Sequence, residues 1–333
     1  MAELPRVVVI FTGGTISMLP DAVTGAAVPA LDGSQILERV AGLDAIAELE
    51  AVDWGLVPAS HLRFSQILEI GRVIAAAAAR PDVDGVVVVQ GTDVLEETSY
   101  AWDLLHRGDA PVVVTGAMRN AGDADYDGPR NVRDAVLVAA DPGLRGVGVV
   151  VVMAGLILAA DDATKTDSQA LDTFQALDRG ALGRVERGRV VLEQDRGARA
   201  VLPLVPTEAA SPVALLTVVV STDGDLVRAA IDGGAAGIVI EATGSGNTDP
   251  DVLAAAAEAI GRGIPVALTT RCASGPVGPF YGFPGGGRSW QEAGAIMAGT
   301  LSGPKARIAL ALGIGAGLGH DALTALLRAD GVG

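Results

Sequence analysis

The sequence predicts an α/β protein built of two parallel-sheet domains, a larger N-terminal one and a smaller C-terminal one, joined by a linker. Three observations predict it. Short β-branched runs alternate with longer helical stretches, as strands of a parallel sheet alternate with the helices that cover its faces. The alternation lapses once and then resumes. The length, 333 residues, also exceeds what one hydrophobic core ordinarily holds.

In the first half the strand-like runs are RVVVIF from Arg6, GVVVVQ from Gly85, PVVVTG from Pro111 and GVGVVVVM from Gly146. Between them SQILERVAGLDAIAEL, FSQILEIGRVIAAAAAR, VLEETSYAWDLLHR and GPRNVRDAVLVAA carry the spacing of amphipathic or buried helices. After Met153 the pattern becomes hairpin-like and extended, through LILAADDATKTDSQALDTFQ. From about Arg187 to Pro212 no pattern is sustained, and RGARAVLPLVPTEAASP has the proline and small polar residues of a linker. The expected division is therefore an N-terminal domain over 1–190, a linker over 191–212 and a C-terminal domain over 213–333. In that last part VALLTVVV, GIVIEATG and IPVALTT alternate with DLVRAAIDGG and DVLAAAAEAIGR, and two helices, RSWQEAGAIMAG and GPKARIALALGIG, close the unit.

Composition narrows the function. Hydrophobic residues make up 50% and the mean hydropathy is +0.41. Even so, the longest apolar run, GVGVVVVMAGLILAA, is shorter than the ~20 residues of a membrane span and holds several glycines. A net charge of −16 repels phosphate backbones, so nucleic acid is not an expected partner. The N-terminus, MAELPR, has an acidic residue where a signal peptide carries basic ones. With a single cysteine, Cys272, there is no internal disulfide, and a cytoplasmic location is expected. His61, His106 and His320 are scattered, so neither a metal site nor a histidine-based triad is expected. No cofactor is called for.

In open parallel sheets the ligand lies beyond the carboxyl ends of the strands, and four polar clusters fall there or nearby. The first follows RVVVIF: Thr12, Gly13, Gly14, Thr15, Ile16 and Ser17. Two glycines allow a tight turn close to a ligand, and the flanking hydroxyls then face the crevice; a plain structural turn fits the same residues. The GxGxxG spacing of a dinucleotide site is missing. The second cluster is Gly91, Thr92, Asp93, Glu96 and Glu97; Asp93 with Glu96 also reads as a helix-capping arrangement. The third is Thr164, Lys165, Thr166 and Asp167. Only two of the 24 basic residues are lysines, Lys165 and Lys305, and lysine differs from arginine in having an adjustable pKa. Beside a hydroxyl and a carboxylate it can hold or move a proton. The fourth, Thr243, Gly244, Ser245, Gly246 and Asn247, ends GIVIEA and leads to a helix at Pro250; a glycine-rich loop with an N-cap fits it equally.

Taken in order, TGGTIS, QGTDVLEET, DATKTD with LDTF, and GSGN closely resemble the bacterial-type L-asparaginases. The resemblance covers almost the whole chain, including VVVTGAMR, DGPRN and AGTLSGPKAR. It implies a two-domain fold with a flavodoxin-like C-terminal unit, and hydrolysis of asparagine to aspartate and ammonia through a threonine acyl-enzyme. By position, Thr15 matches the nucleophile, with Gly14 beside it. Thr92 matches the threonine that works with a lysine, Asp93 the aspartate that holds the substrate's amino group, and Lys165 that lysine. Gly91 belongs to the same turn, and the resemblance makes Gly14, Gly91 and Asn247 substrate-binding positions. Asn247 matches an asparagine supplied by a neighbouring subunit, so the resemblance also implies a homodimer or homotetramer, and Lys305 falls on a segment remote from the chemistry.

The chain also departs from the family. The stretch after the first turn, SMLPDAVTGAAVPALDG, lacks the family's lid tyrosine. Tyr281, in GPFYGFPGGG, is the expected replacement, with Tyr126 second. The family's segment for the substrate carboxylate aligns with Pro58, Ala59, Ser60, His61 and Leu62, where Ser60 is the expected contact. Alternatives within reach of the same residues are a glutaminase or other amidohydrolase, and a non-catalytic aspartate- or asparagine-binding protein.

Overall fold

The computed structural model describes residues 4–21 and 23–328, so the first residues of the N-terminal segment and the last five of the C-terminal domain lie outside it. The chain divides into two compact units, Met1–Arg196 and Gly197–Gly333.

The first unit begins with β1 (Arg6–Phe11), a hairpin of β2 (Met18–Pro20) and β3 (Ala27–Pro29), helix α1 (Gly33–Leu37) and β4 (Glu48–Asp53). Then come α2 (Phe64–Ala78), β5 (Gly85–Val89), α3 (Leu95–Leu105), β6 (Val112–Thr115), α4 (Gly128–Ala139) and β7 (Val149–Met153). It ends with β8 (Leu156–Ala159), β9 (Ala163–Lys165), β10 (Phe174–Ala176), β11 (Gly183–Glu186) and β12 (Arg189–Leu192). Eight strands form one sheet in the order β12-β11-β8-β7-β6-β5-β1-β4. From β4 to β7 neighbours run parallel, whereas β8, β11 and β12 join antiparallel at one edge. All five residues of β5 and of β7 are buried. That is the cost-free place for an unbroken valine run, since a parallel strand covered on both faces has no side for polar residues.

In this unit two stretches differ from expectation, each for a local reason. The stretch SQILERVAGLDAIAEL has helical spacing, but α1 ends at Leu37 and Gly42 adopts the left-handed conformation (φ 76°), which breaks the periodicity. Its last residues turn into the edge strand β4, whose exposure over ELEAVD does not alternate regularly and so gives little period-2 signal. The region from Arg187 onward, expected to be patternless, contains β12. Beyond it Arg196 is almost fully buried, and its guanidinium donates to Asp103, Asp161 and the carbonyls of Val147 and Val149. Burial opposes ionisation of Asp161, but Arg196 and Arg179 outweigh it and hold the carboxyl below its usual pKa. The first unit thus extends past residue 190.

The second unit contains β13 (Val213–Thr217), α5 (Asp225–Asp232), β14 (Gly237–Ala242), α6 (Pro250–Gly261), β15 (Val266–Thr270), α7 (Gly287–Glu292), β16 (Ile296–Met297), α8 (Gly303–Gly315) and α9 (His320–Leu327). Its four strands pair in chain order, all parallel, over a core that includes Ile238, Ile240, Leu268 and Trp290. RSWQEAGAIMAG is not one helix: Gly294 at φ 91° ends α7, and the rest becomes the edge strand β16. Helix α9 was not anticipated. Its short apolar stripe, Leu323, Leu326 and Leu327, carries too few turns to stand out.

Candidate active site

The carboxyl ends of β1 and β5 are neighbours because the two strands pair in parallel, Phe11 opposite Val89. Each runs straight into a glycine turn. Thr12 continues the ladder, donating its N–H to the Val89 carbonyl at 3.0 Å and its hydroxyl to the same atom at 3.2 Å. Gly13 and Gly14 follow at φ 104° and 98°, which a side-chain-bearing residue rarely adopts. A Cβ on Gly14 would overlap the backbone nitrogen and Cα of Gly91, so the two turns touch main chain to main chain. The residues that follow these glycines are Thr15 and Thr92. Gly14→Ala is expected to cost about 2–5 kcal/mol, from backbone strain plus overpacking, read as a lower denaturant midpoint at unchanged slope.

Around Thr15 the other hydroxyls are committed. Thr12 is engaged as above, and Ser17 donates to the Gly14 carbonyl at 2.7 Å, closing the short 3-10 turn Thr15–Ser17. Thr15 is half-buried, and its hydroxyl has no hydrogen bond among the described residues. Of the three hydroxyls expected to face the crevice, two therefore build the turn and one is left for a ligand.

On the other turn, Thr92 is buried and accepts a hydrogen bond from Lys165 Nζ at 3.0 Å. The same ammonium lies 3.0 Å from Asp93 Oδ1. The Asp93 side chain is 69% exposed and that of Lys165 only 16%, so the carboxylate reaches outward from a lysine that is largely enclosed. The capping reading of Asp93 and Glu96 does not hold. Val94 is the N-cap of α3 and no side chain caps it; Glu96 Oε2 instead accepts the backbone N–H of Lys165 at 2.9 Å. Glu96 fixes the β9 main chain from which Lys165 reaches, a role sequence spacing hides because the partner lies far along the chain. Beneath the turn, buried Gln90 donates to Thr98 at 2.7 Å, and Gly116 leaves room where a Cβ would meet the Thr92 methyl at 3.2 Å.

Ser60 follows from the same packing. Trp54 and Gly55 donate to the Phe11 carbonyl and Val57 to that of Thr12, tying this segment to the first turn. A short 3-10 turn, Ala59–His61, comes next. Ala59 abuts Gly91, while Ser60 itself is exposed. Gly14, Thr15, Ser60, Gly91, Thr92, Asp93 and Lys165 all belong to the first unit.

Asn247 and Tyr281 belong to the second. Asn247 closes a tight turn after β14, its carbonyl accepting the N–H and the hydroxyl of Thr243 at 3.0 and 2.8 Å. Its side-chain oxygen is buried without a partner among the described residues. Helix α6 is capped by Asp249, which accepts the Asp251 N–H. Tyr281 is about half exposed, its ring 5.7 Å from that of Phe283. Lys305 is buried in α8.

Family models match both halves of the chain: "Asparaginase, N-terminal" over residues 6–197 and "Glutaminase/Asparaginase C-terminal domain" over 212–327. The chain belongs to the asparaginase family. A probable L-asparaginase of Deinococcus radiodurans is 35% identical, covering 93% of this chain and 92% of that protein. L-asparaginase of Bacillus licheniformis is 31% identical over 92% of this chain and 94% of its own length. A probable periplasmic L-asparaginase of Haemophilus influenzae is 28% identical over 94% and 89%. Within this asparaginase-family chain, no helix among the described residues is long and apolar enough to cross a membrane.

Proposed function

We propose that this chain hydrolyses the side-chain amide of asparagine, giving aspartate and ammonia through a threonine acyl-enzyme. The observation that carries the reading is the hydroxyl–ammonium–carboxylate set of Thr92, Lys165 and Asp93, held against the turn that presents Thr15. Thr15 Oγ attacks the amide carbon, the C–N bond breaks and ammonia leaves with a proton. Water then attacks the ester, releasing aspartate and regenerating the threonine. The developing oxyanion calls for preorganised donors, and main-chain N–H groups of the abutting glycine turns suit that task. Thr92, hydrogen-bonded to Lys165, is the group placed to relay a proton. The outward carboxylate of Asp93 suits the substrate's ammonium group, and Ser60 its carboxylate.

Asn247 acts, in this proposal, from the C-terminal domain of a neighbouring copy, which makes the working enzyme a homodimer or homotetramer. Tyr281 is proposed as the activator of Thr15, supplied from the same domain; its half-exposed side chain is free to make such a contact. Free Cys272 suits a reducing compartment, and we place the protein in the cytoplasm.

Ammonia release from L-asparagine, L-glutamine and D-asparagine tests the substrate. L-asparagine is expected to turn over fastest. Faster glutamine turnover would make the chain a glutaminase, and tight aspartate binding without ammonia release from any amide would make it a sensor.

A further inference from the structure

We propose that Tyr126 is a positioning residue for the nucleophilic turn: its hydroxyl fixes the main chain next to Thr15 and holds the threonine in line for attack. The inference rests on the assignment of Thr15 as nucleophile.

The loop between β6 and α4 passes both turns. At its start Gly116 adjoins the Thr92 methyl. Near its end the Tyr126 hydroxyl donates to the carbonyl of Ile16 at 2.9 Å. That carbonyl belongs to the residue immediately after Thr15, and among the described residues Tyr126 is its only donor. The loop makes a second attachment two residues on, where Ala121 donates its N–H to the Met18 carbonyl at 3.0 Å. Ile16 is fully buried, so its carbonyl finds no substitute partner in bulk water.

The phenol ring is itself held. It lies over Gly128, where a Cβ would collide with its outer carbons and hydroxyl. The loop behind it is braced by Asp127, which accepts the N–H groups of Met118 and Arg119 and the Asn131 side-chain amide. Burial pushes the phenol pKa up to about 12, with Arg39 acting to lower it and Asp127 to raise it. The group therefore stays protonated near neutrality and acts as a fixed donor. A general base would need to give its proton up in that range.

A residue that only aims the nucleophile affects the transition state more than substrate binding. Tyr126→Phe leaves the ring in place and removes the single hydrogen bond. The expected result is a fall in kcat of about tenfold, the size of one lost buried hydrogen bond, with KM for asparagine within about twofold and the kcat–pH profile unchanged in shape. Gly128→Ala, which places a methyl group where the ring stands, is expected to lower kcat in the same way with the tyrosine still present. Unchanged kcat in Tyr126→Phe overturns the proposal. So does a loss above ~10³-fold with a limb of the pH profile missing, since that is the signature of a general base. Thr15→Ala, run alongside, separates the two assignments. Wild-type turnover in Thr15→Ala removes Thr15 as nucleophile and Tyr126 with it, whereas an inactive Thr15→Ala beside an unaffected Tyr126→Phe removes Tyr126 alone.

Discussion

Thr15→Ala is expected to lower kcat for asparagine by at least ~10⁴-fold while leaving the fold and aspartate binding intact. Deleting the nucleophile of an acyl-enzyme pathway removes the covalent step and leaves only the contribution of the surrounding donors and of binding. The structure makes the substitution a clean one. Thr12 and Ser17 carry the hydrogen bonds that shape the turn, and the Thr15 hydroxyl carries none among the described residues. Aspartate titration by calorimetry and a denaturant melt check that the variant is folded and binds; ammonia release with trapping of the acyl-enzyme checks the chemistry. A variant that retains wild-type turnover would transfer the role to Thr92, the other threonine at the paired turns.

The second large effect is at Lys165. Lys165→Met keeps the length and apolar stem of the side chain and removes the ammonium that lies 3.0 Å from both Thr92 and Asp93. General acid–base groups contribute roughly 10²–10⁴-fold, so kcat is expected to fall by ~10³-fold. Stability is expected to change little: the Asp93 side chain left behind is 69% exposed, and an exposed carboxylate needs no ion pair. KM reports separately on Asp93. If Asp93 holds the substrate's ammonium group, its release from Lys165 leaves KM unchanged or lowers it. Equal turnover in Lys165→Met and wild type, measured across pH, would remove the lysine from the mechanism.

Much of this site was legible in the sequence because its residues sit where strands end. The valine runs before Thr12 and Gly91 mark buried parallel strands, and the residues that follow them must lie at one edge of the sheet. The scarcity of lysine marks Lys165 and Lys305 alike, and it is the resemblance that separates Lys165 from Lys305, which is buried in α8. What spacing could not give were the long-range pairings. Glu96 looked like a helix cap because it sits three residues after Asp93, yet its partner is the Lys165 main chain. Tyr126 reaches the Ile16 carbonyl across more than a hundred residues, and no local pattern announces such a contact. In the fold the losses were helix α9 and the strands at sheet edges. Strands β4, β12 and β16 are short or half-exposed, and a glycine in the left-handed region preceded β4 and β16, so a helical pattern ran on past its true end.

The buried guanidinium of Arg196 bears on how the polypeptide can be divided. A fragment cut at residue 190 would keep every group assigned to the chemistry from the N-terminal domain, yet lose the cation that Asp103 and Asp161 both face. Removing one partner from a buried ion pair costs about 3–5 kcal/mol, a large share of what holds an ordinary domain folded. An autonomous N-terminal fragment therefore has to run through Arg196, and protease nicks or circular-permutation joints are better tolerated after that residue than before it.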